Sequence, residues 1–363
     1  MQIFKKYFGI ISWLIFSCQG IIAQQPASAD NQKDSVNRSN EGVLFHSDDM
    51  LKLTITGRLS DLYNDRGTKP SWHPLSLQYK SGDQMITLSL KAKTRGHFRK
   101  DKANCKIPPI LLNFSSKNTD GTIFENQDEI KLVMPCKSNE YVVREYLVYK
   151  LYNLVTPKSF NARLAEITFR DSNNLKKEEK FYCFLIEDES KMARRNYGVI
   201  ISQKMAMENT SRLEFTRMAV FQYLIGNTDW SVTYQQNIKL LYAHPHPVYP
   251  VPYDFDHAGI VDAPYAGAAP ELGISSIRER IYRGYCNNIT DDFTQTIGFF
   301  NGIKKEINAV YQQCDLLDRN YTRFVLRYIE DFYKDINDKN AIVKIFNLPC
   351  RTKTRVEIKG LKK

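Results

Sequence analysis

The chain has 363 residues, 42% of them hydrophobic and 12% aromatic, with a net charge of +11. That much apolar material excludes a disordered chain, and the length allows one large domain or two modest ones. The charge is unevenly placed. Lys5 and Lys6 supply +2, and the tail Arg351–Lys363, with six Lys/Arg against one Glu, supplies +5, which leaves +4 for the body. With no nucleic-acid motif beside it, this excess argues against nucleic acid as a partner. The tail reads as a solvated basic end or as a contact for membrane phosphate or acidic partners.

The first 23 residues carry Lys5 and Lys6, an apolar run from Phe8 to Ile22 broken by a few polar or small residues, and then Ala23 before glutamines. This is the pattern of a secretory signal, too short and interrupted for a comfortable membrane span, so export to the periplasm or cell envelope is expected with a mature start at Gln24. The alternative is a lipoprotein acylated at Cys18, against which the bulky Phe16 counts. Residues 24–42 hold one large apolar residue, Val36, and read as a flexible spacer. The seven cysteines form no CxxC pair and no zinc-like cluster, and buried free thiols are the expectation for most of them.

From residue 43 to about 190 the pattern is strand-rich. Leu51–Thr56 and Met85–Ala92 alternate apolar and polar, and Pro74–Lys80, Pro109–Phe114 and Ile130–Met134 add short strands. The period then changes. Over Glu140–Val155, residues Val143, Tyr146, Leu147, Lys150, Leu151 and Leu154 fall at helical spacing, which predicts a helix laying one face on a mostly antiparallel sheet. Strands over Leu164–Phe169 and Phe181–Ile186 complete this half. Residues 191–350 read as mainly helical: a helix capped by Asn209 or Thr210 and ending at Gly226, two strands over Asn237–Tyr242 and Val248–Tyr253, then helices from Asp291 to about Phe346.

One ordered set in this second half suggests chemistry. Asp229 follows the helix in Gly226-Asn227-Thr228-Asp229-Trp230; Asn237 opens a strand; Asp254 and Asp256 follow the next strand in Tyr253-Asp254-Phe255-Asp256-His257. A hairpin of the two strands would bring Asn237 and Asp254 to one end. Carboxylate and amide oxygens are what Mg²⁺ prefers when it also holds phosphates, and a further carboxylate can orient or deprotonate an acceptor hydroxyl. Taken singly, each residue reads equally as a cap or a turn. His244 and His246 lie in a Pro-rich hairpin loop without a third ligand and read as surface residues, and Arg278, Arg280 and Arg283 as solvated or paired with Glu279 rather than as contacts to an anionic acceptor.

The stretch from Gly226 through Asn237-Ile238-Lys239-Leu240-Leu241 to Pro252–Gly259 resembles the catalytic segment of the CotH-type (spore-coat protein H) atypical kinases. The likeness extends upstream to Thr94-Arg95-Gly96-His97, Lys106-Ile107-Pro108-Pro109 and Phe184–Asp188. It implies an α+β, two-lobed protein-kinase-like fold, with a β-rich amino lobe and a mainly helical carboxyl lobe. By position it makes Asp229 the catalytic carboxylate and Asn237 and Asp254 holders of Mg²⁺ or Mn²⁺, with Asp256 as a second or alternative ligand. Lys106 and Arg95 would contact the ATP phosphates, and Glu145 or Glu140 would pair with Lys106. The expected reaction moves the γ-phosphoryl group of ATP to a hydroxyl on a protein, glycan or lipid. There is no Gly-rich loop and no His-Arg-Asp sequence, and ATP is scarce outside the cytoplasm. A non-catalytic binding or envelope-assembly module of the same fold is therefore the main alternative, ahead of a metal-dependent hydrolase.

Overall fold

The computed structural model describes residues 43–115, 118–173, 178–268, 270–286 and 290–351. The expected signal, spacer and Cys18, and the basic tail beyond Arg351, lie outside the described residues. The chain is a mixed α+β protein. Its strand-rich half comprises β1 (Leu51–Gly57), β2 (His73–Ser81), β3 (Gln84–Thr94), β4 (Ile110–Phe114), β5 (Glu129–Val133), β6 (Ala162–Asp171) and β7 (Glu179–Ile186). A six-residue helix, α1 (Leu59–Asn64), follows β1 without a sequence signal.

These strands form the mostly antiparallel sheet expected, but not with free edges. They close into a barrel, in the order β1-β2-β3-β4-β5-β7-β6, through a parallel pairing of β1 with β6 that sets Leu53 opposite Ile167. Closure removes both sheet edges and turns one side chain in two inward. The inward set, including Ile55, Leu77, Leu112, Leu132 and Ile167, is fully buried in one apolar cluster.

Helix α2 (Asn139–Val155) lies between β6 and β7 of this barrel and helices of the second half. It therefore buries more than the single face expected. Val148, Tyr149 and Tyr152 are buried, whereas Leu154, placed on the core face by its spacing, is exposed. After α3 (Glu189–Arg195) and the short strand β8 (Val199–Ile201) comes α4 (Arg212–Ile225). Its N-cap is Ser211, one residue past the expected position, and Gly226 ends it in the left-handed region at φ 64°. A Cβ at Gly226 would run into the Tyr328 hydroxyl, so both backbone and space demand glycine.

Strands β9 (Ile238–Tyr242) and β10 (Val248–Pro252) pair antiparallel, with Ile238 opposite Pro252. The register sets Asn237 beside Tyr253, whose N–H donates to the Asn237 carbonyl at 3.0 Å. Helices α5 (Asp291–Gly302), α6 (Lys304–Gln312), α7 (Arg319–Asn337), α8 (Lys339–Phe346) and α9 (Leu348–Arg351) follow. Of these, α5 to α8 share a second apolar cluster with α2, α4 and the hairpin.

The cysteines depart from the free-thiol expectation. Cys105 and Cys136 form a disulfide that ties the loop after β3 to the segment after β5, and Cys286 is also disulfide-bonded, while Cys183 and Cys314 are free thiols. A linear pattern does not show that these two loops, 31 residues apart, meet at one end of the barrel.

Candidate functional site

A cavity of about 310 Å³ opens where the end of the barrel faces the β9–β10 hairpin. Arg95, His97 and Arg99 from the loop after β3, with Lys131 of β5, line one side; Asp229, Asn237, Lys239, Asp254 and Asp256 line the other.

The acidic side is held by a short network. The Asp229 N–H donates to Asn227 Oδ1 at 3.0 Å. Asn237 Nδ2 donates both to the Asp229 carbonyl, at 2.8 Å, and to its Oδ2, at 3.0 Å. Gln236 Nε2 reaches Asp229 Oδ1 at 3.5 Å. The Asp254 N–H donates to the Tyr149 hydroxyl at 2.9 Å. Complete burial, with Glu145 and Asp254 nearby, pushes the Tyr149 phenol well above its usual range, so it stays a neutral donor and acceptor. Burial and Asp254 likewise push Tyr253 up to about 12. Gln235, Asn237 and Asp254 have φ of 50°, 51° and 61°, a region that non-glycine residues enter at a cost. Three such residues around one cavity mark it as the most locally strained wall among the described residues, a pattern that clusters at functional sites.

The opposite side is cationic. Burial lowers the Arg95 pKa, and the Asp254 charge opposes that shift. Burial also lowers the Lys131 pKa, with Arg95 adding to the effect. Lys131 alternates with Ile130 and Leu132: they enter the barrel core while Lys131 faces the cavity. Its nearest carboxylate is Glu189, at 4.0 Å, which Lys239 approaches more closely, at 2.7 Å. Two half-buried cations thus line the same cavity as the acidic residues.

Three expected assignments are corrected by their neighbours. Lys106 is absent from the cavity; its side chain is 78% exposed and Nζ meets Glu179 at 3.1 Å. Its neighbour Cys105 is tied to Cys136 by a disulfide. Glu145 does not meet Lys106 but lies buried beneath the cavity, where Arg99 Nη1 reaches its Oε2 at 3.3 Å. Glu140 pairs with Arg144 instead. Arg99 Nη1 also lies 3.5 Å from Asp256 Oδ2, and its Nη2 donates to the Met134 carbonyl at 2.6 Å. Asp256 is thereby engaged in a buried ion pair. Burial drives the Glu145 carboxyl well above its usual range, Arg99 pulls it back, and Asp256 and Asp254 push it further up. For Arg99 the acidic surroundings (Tyr265, Glu145, Asp256) overcome burial and keep the guanidinium charged.

Sequence reasoning therefore brings Asp229, Asn237, Asp254, Asp256 and Arg95 to one cavity and misses Lys131 and Arg99. The available signal for Lys131 was its place on the outward side of the strand just before the helix that carries Glu145. The arginine trio also finds other partners. Arg278 pairs with Asp262, Arg280 donates to the Leu224 and Tyr328 carbonyls, and Glu279 accepts from Ser275 and Ser276. His244 is exposed beside Tyr242, and no histidine cluster forms around it among the described residues.

No family model matches the chain, and no curated protein matches it. Among solved structures it is similar to the crystal structure of a Helicobacter pylori proinflammatory kinase, CtkA, at 14% identity over 69% of this chain and 94% of that chain, with a TM-score of 0.39. Similarity at that level leaves the CotH-type resemblance and the kinase-like fold as propositions to be argued from the site itself.

No group of three or more His, Cys, Asp or Glu among the described residues is arranged to hold a metal ion by itself. What the cavity offers is Asp254 and the Asn237 amide oxygen, whose NH₂ is turned to Asp229. Two hard oxygen ligands suit Mg²⁺ that keeps waters and phosphate oxygens, and do not suit an ion caged by protein alone.

Proposed function

We propose that this cavity binds ATP with Mg²⁺ or Mn²⁺ and that the protein is an exported, atypical kinase-like phosphotransferase acting on a hydroxyl of a protein, glycan or lipid. The observation that carries this is the gathering of Asp229, Asn237, Asp254, Arg95 and Lys131 around one cavity. Arg95 and Lys131 would take phosphate oxygens, as charge-assisted donors do. Asn237 and Asp254 would hold the metal, which when bound would neutralise phosphate charge. Asp229 would orient the acceptor hydroxyl and take its proton as the new O–P bond forms at the γ-phosphorus and the bond to the β-phosphate oxygen breaks, leaving ADP. The Cys105–Cys136 disulfide supports the export part of the proposal, because such bonds persist in oxidising compartments.

A non-catalytic binding module keeps support from one observation: Asn237 and Gln236 already hydrogen-bond the Asp229 carboxylate. Melting temperature, ATP·Mg²⁺ affinity and phosphate transfer, measured on one Asp229→Asn preparation, separate the two. Under the transferase reading, affinity stays near wild type and turnover falls by about 10²-fold or more. Wild type that binds ATP without transferring phosphate favours the module; wild type that does not bind it overturns the nucleotide site.

A further inference from the structure

The loop that presents Asp229 runs from Gly226 to Asn237 and contains no helix or strand. Its internal bonds fix the two ends: Asn227 Oδ1 accepts from the Asp229 N–H, and Ser231 and Gln236 exchange backbone bonds at 2.9 and 3.0 Å. The carbonyls of the two residues flanking Asp229, Thr228 and Trp230, take no part in these bonds. Both are met by one side chain. Arg283 Nη1 donates to the Thr228 carbonyl at 2.6 Å and to the Trp230 carbonyl at 2.8 Å. That nitrogen carries two protons, so both bonds form together. The guanidinium also stands 5.0 Å from the Trp230 ring, and Trp230 is itself buried, with its indole N–H donating to the Asn227 carbonyl at 3.2 Å.

Arg283 comes from a segment that is itself anchored on both sides. Arg280 donates to the carbonyls of Leu224, at the end of α4, and Tyr328, in α7. The Tyr285 hydroxyl donates to the Met207 carbonyl at 2.7 Å. The backbone that carries Arg283 is thus anchored on both sides of it.

We infer that Arg283 is a positioning residue, which sets the Asp229 carboxylate in the cleft by clamping the carbonyls of Thr228 and Trp230. The inference rests on Asp229 being the acceptor-side carboxylate of the proposed phosphotransferase. With the clamp gone Asp229 keeps its bonds to Asn227, Gln236 and Asn237, but the carbonyls of Thr228 and Trp230 lose the donor they share. Asp229 would then shift by a fraction of its hydrogen-bond length scale while Asn237 and Asp254, held by the hairpin register, would stay. A displacement of about 1 Å at a reacting group costs about 10²-fold in rate.

The test compares wild type with Arg283→Met, Arg283→Lys and, as a control on a neighbouring exposed pair, Arg278→Ala. Hydrogen exchange is followed in peptides spanning 227–236, and ATP·Mg²⁺ affinity and turnover are measured on the same samples. In Arg283→Met the loop amides should exchange at least about tenfold faster while α4 and β9 hold. Affinity should stay within about threefold, and turnover should fall by about 10²-fold. Arg283→Lys, which keeps charge and donors, should recover part of both losses, and Arg278→Ala should leave the loop's exchange at the wild-type rate. Unchanged loop exchange in Arg283→Met overturns the clamp, as does faster exchange with turnover per folded molecule unchanged in an active wild type. If wild type neither binds nor turns over ATP, the phosphotransferase reading fails separately. The loop exchange then still decides whether Arg283 holds Asp229.

Discussion

Replacing Arg99 with methionine is the most informative single perturbation of the fold beneath the cavity. The arginine side chain is 11% exposed, and its two partners, Glu145 and Asp256, are 2% and 8% exposed. Removing the cation leaves two carboxylates facing each other out of water and one backbone carbonyl, that of Met134, without its donor. Breaking a buried ion pair from one side costs about 3–5 kcal/mol. At two to four degrees per kcal/mol, the melting temperature should fall by about 6 to 20 °C. The loss should depend on pH. Burial already holds the folded Glu145 carboxyl above its unfolded value, and Arg99 is the main group pulling it down. A raised folded pKa contributes stability that is fully present below the unfolded value and is lost as pH rises through the folded one. Without Arg99 that folded value climbs further, so the window of loss widens, and Arg99→Met should be penalised less at pH 5 than at pH 8. Thermal melts of metal-free protein in EDTA across that range give the answer, and Arg99→Met/Glu145→Gln should recover part of the deficit through a coupling of about 0.5–3 kcal/mol. A deficit equal at both pH values, together with strict additivity in the double variant, would refute the account of Arg99 as the counter-charge of this pair.

Other expectations bear on the cavity itself. Asp254→Ala should weaken metal-dependent ATP binding by about tenfold or more, read by thermal shift with and without Mg²⁺, and equal stabilisation of both proteins by ATP would remove Asp254 from the metal site. Lys131→Met should weaken ATP binding by about tenfold or more, the scale of one lost charge-assisted contact. Lys106→Met should leave it within about twofold, because an exposed pair with Glu179 contributes little. The reverse order would restore Lys106 as the phosphate residue. Intact-mass measurement on protein from its native host should give a mature start at Gln24; a mass beginning at Met1 would end the export proposal.

Much of the element order was legible because its signals are local. Alternation marked β1 and β3, the change of period marked α2, and Gly226 marked the end of α4. Closure of the barrel was not legible, since the parallel pairing of β1 with β6 joins residues more than a hundred positions apart and leaves no trace in either strand's own alternation. The two-sided burial of α2 was hidden for a related reason. Periodicity reports one apolar face, but tyrosines at 149 and 152 bury their rings against Phe255 and Phe221 from the other half.

The site divides along the same line. Asp229, Asn237 and Asp254 follow a helix end and flank one hairpin, so the single stretch Gly226–Asp254 carries their geometry. The cationic side is assembled from a loop after β3 and a strand two elements later, and there sequence order misleads. A lysine following the Arg95 element looked well placed for phosphate, yet Lys106 is exposed and meets Glu179 instead. Lys131 reaches the cavity from the outward side of β5 by strand register alone, and its neighbours there make it look like an ordinary solvent-facing residue. The carboxylate on α2 then meets Arg99, which leaves Lys131 with no carboxylate nearer than 4.0 Å. In an arrangement where one lysine must both pair with a helix carboxylate and hold phosphate, each task competes with the other for the same ammonium. Here the pairing falls to a buried guanidinium that also grips Asp256 and the Met134 carbonyl, and Lys131 keeps its charge directed at the cavity.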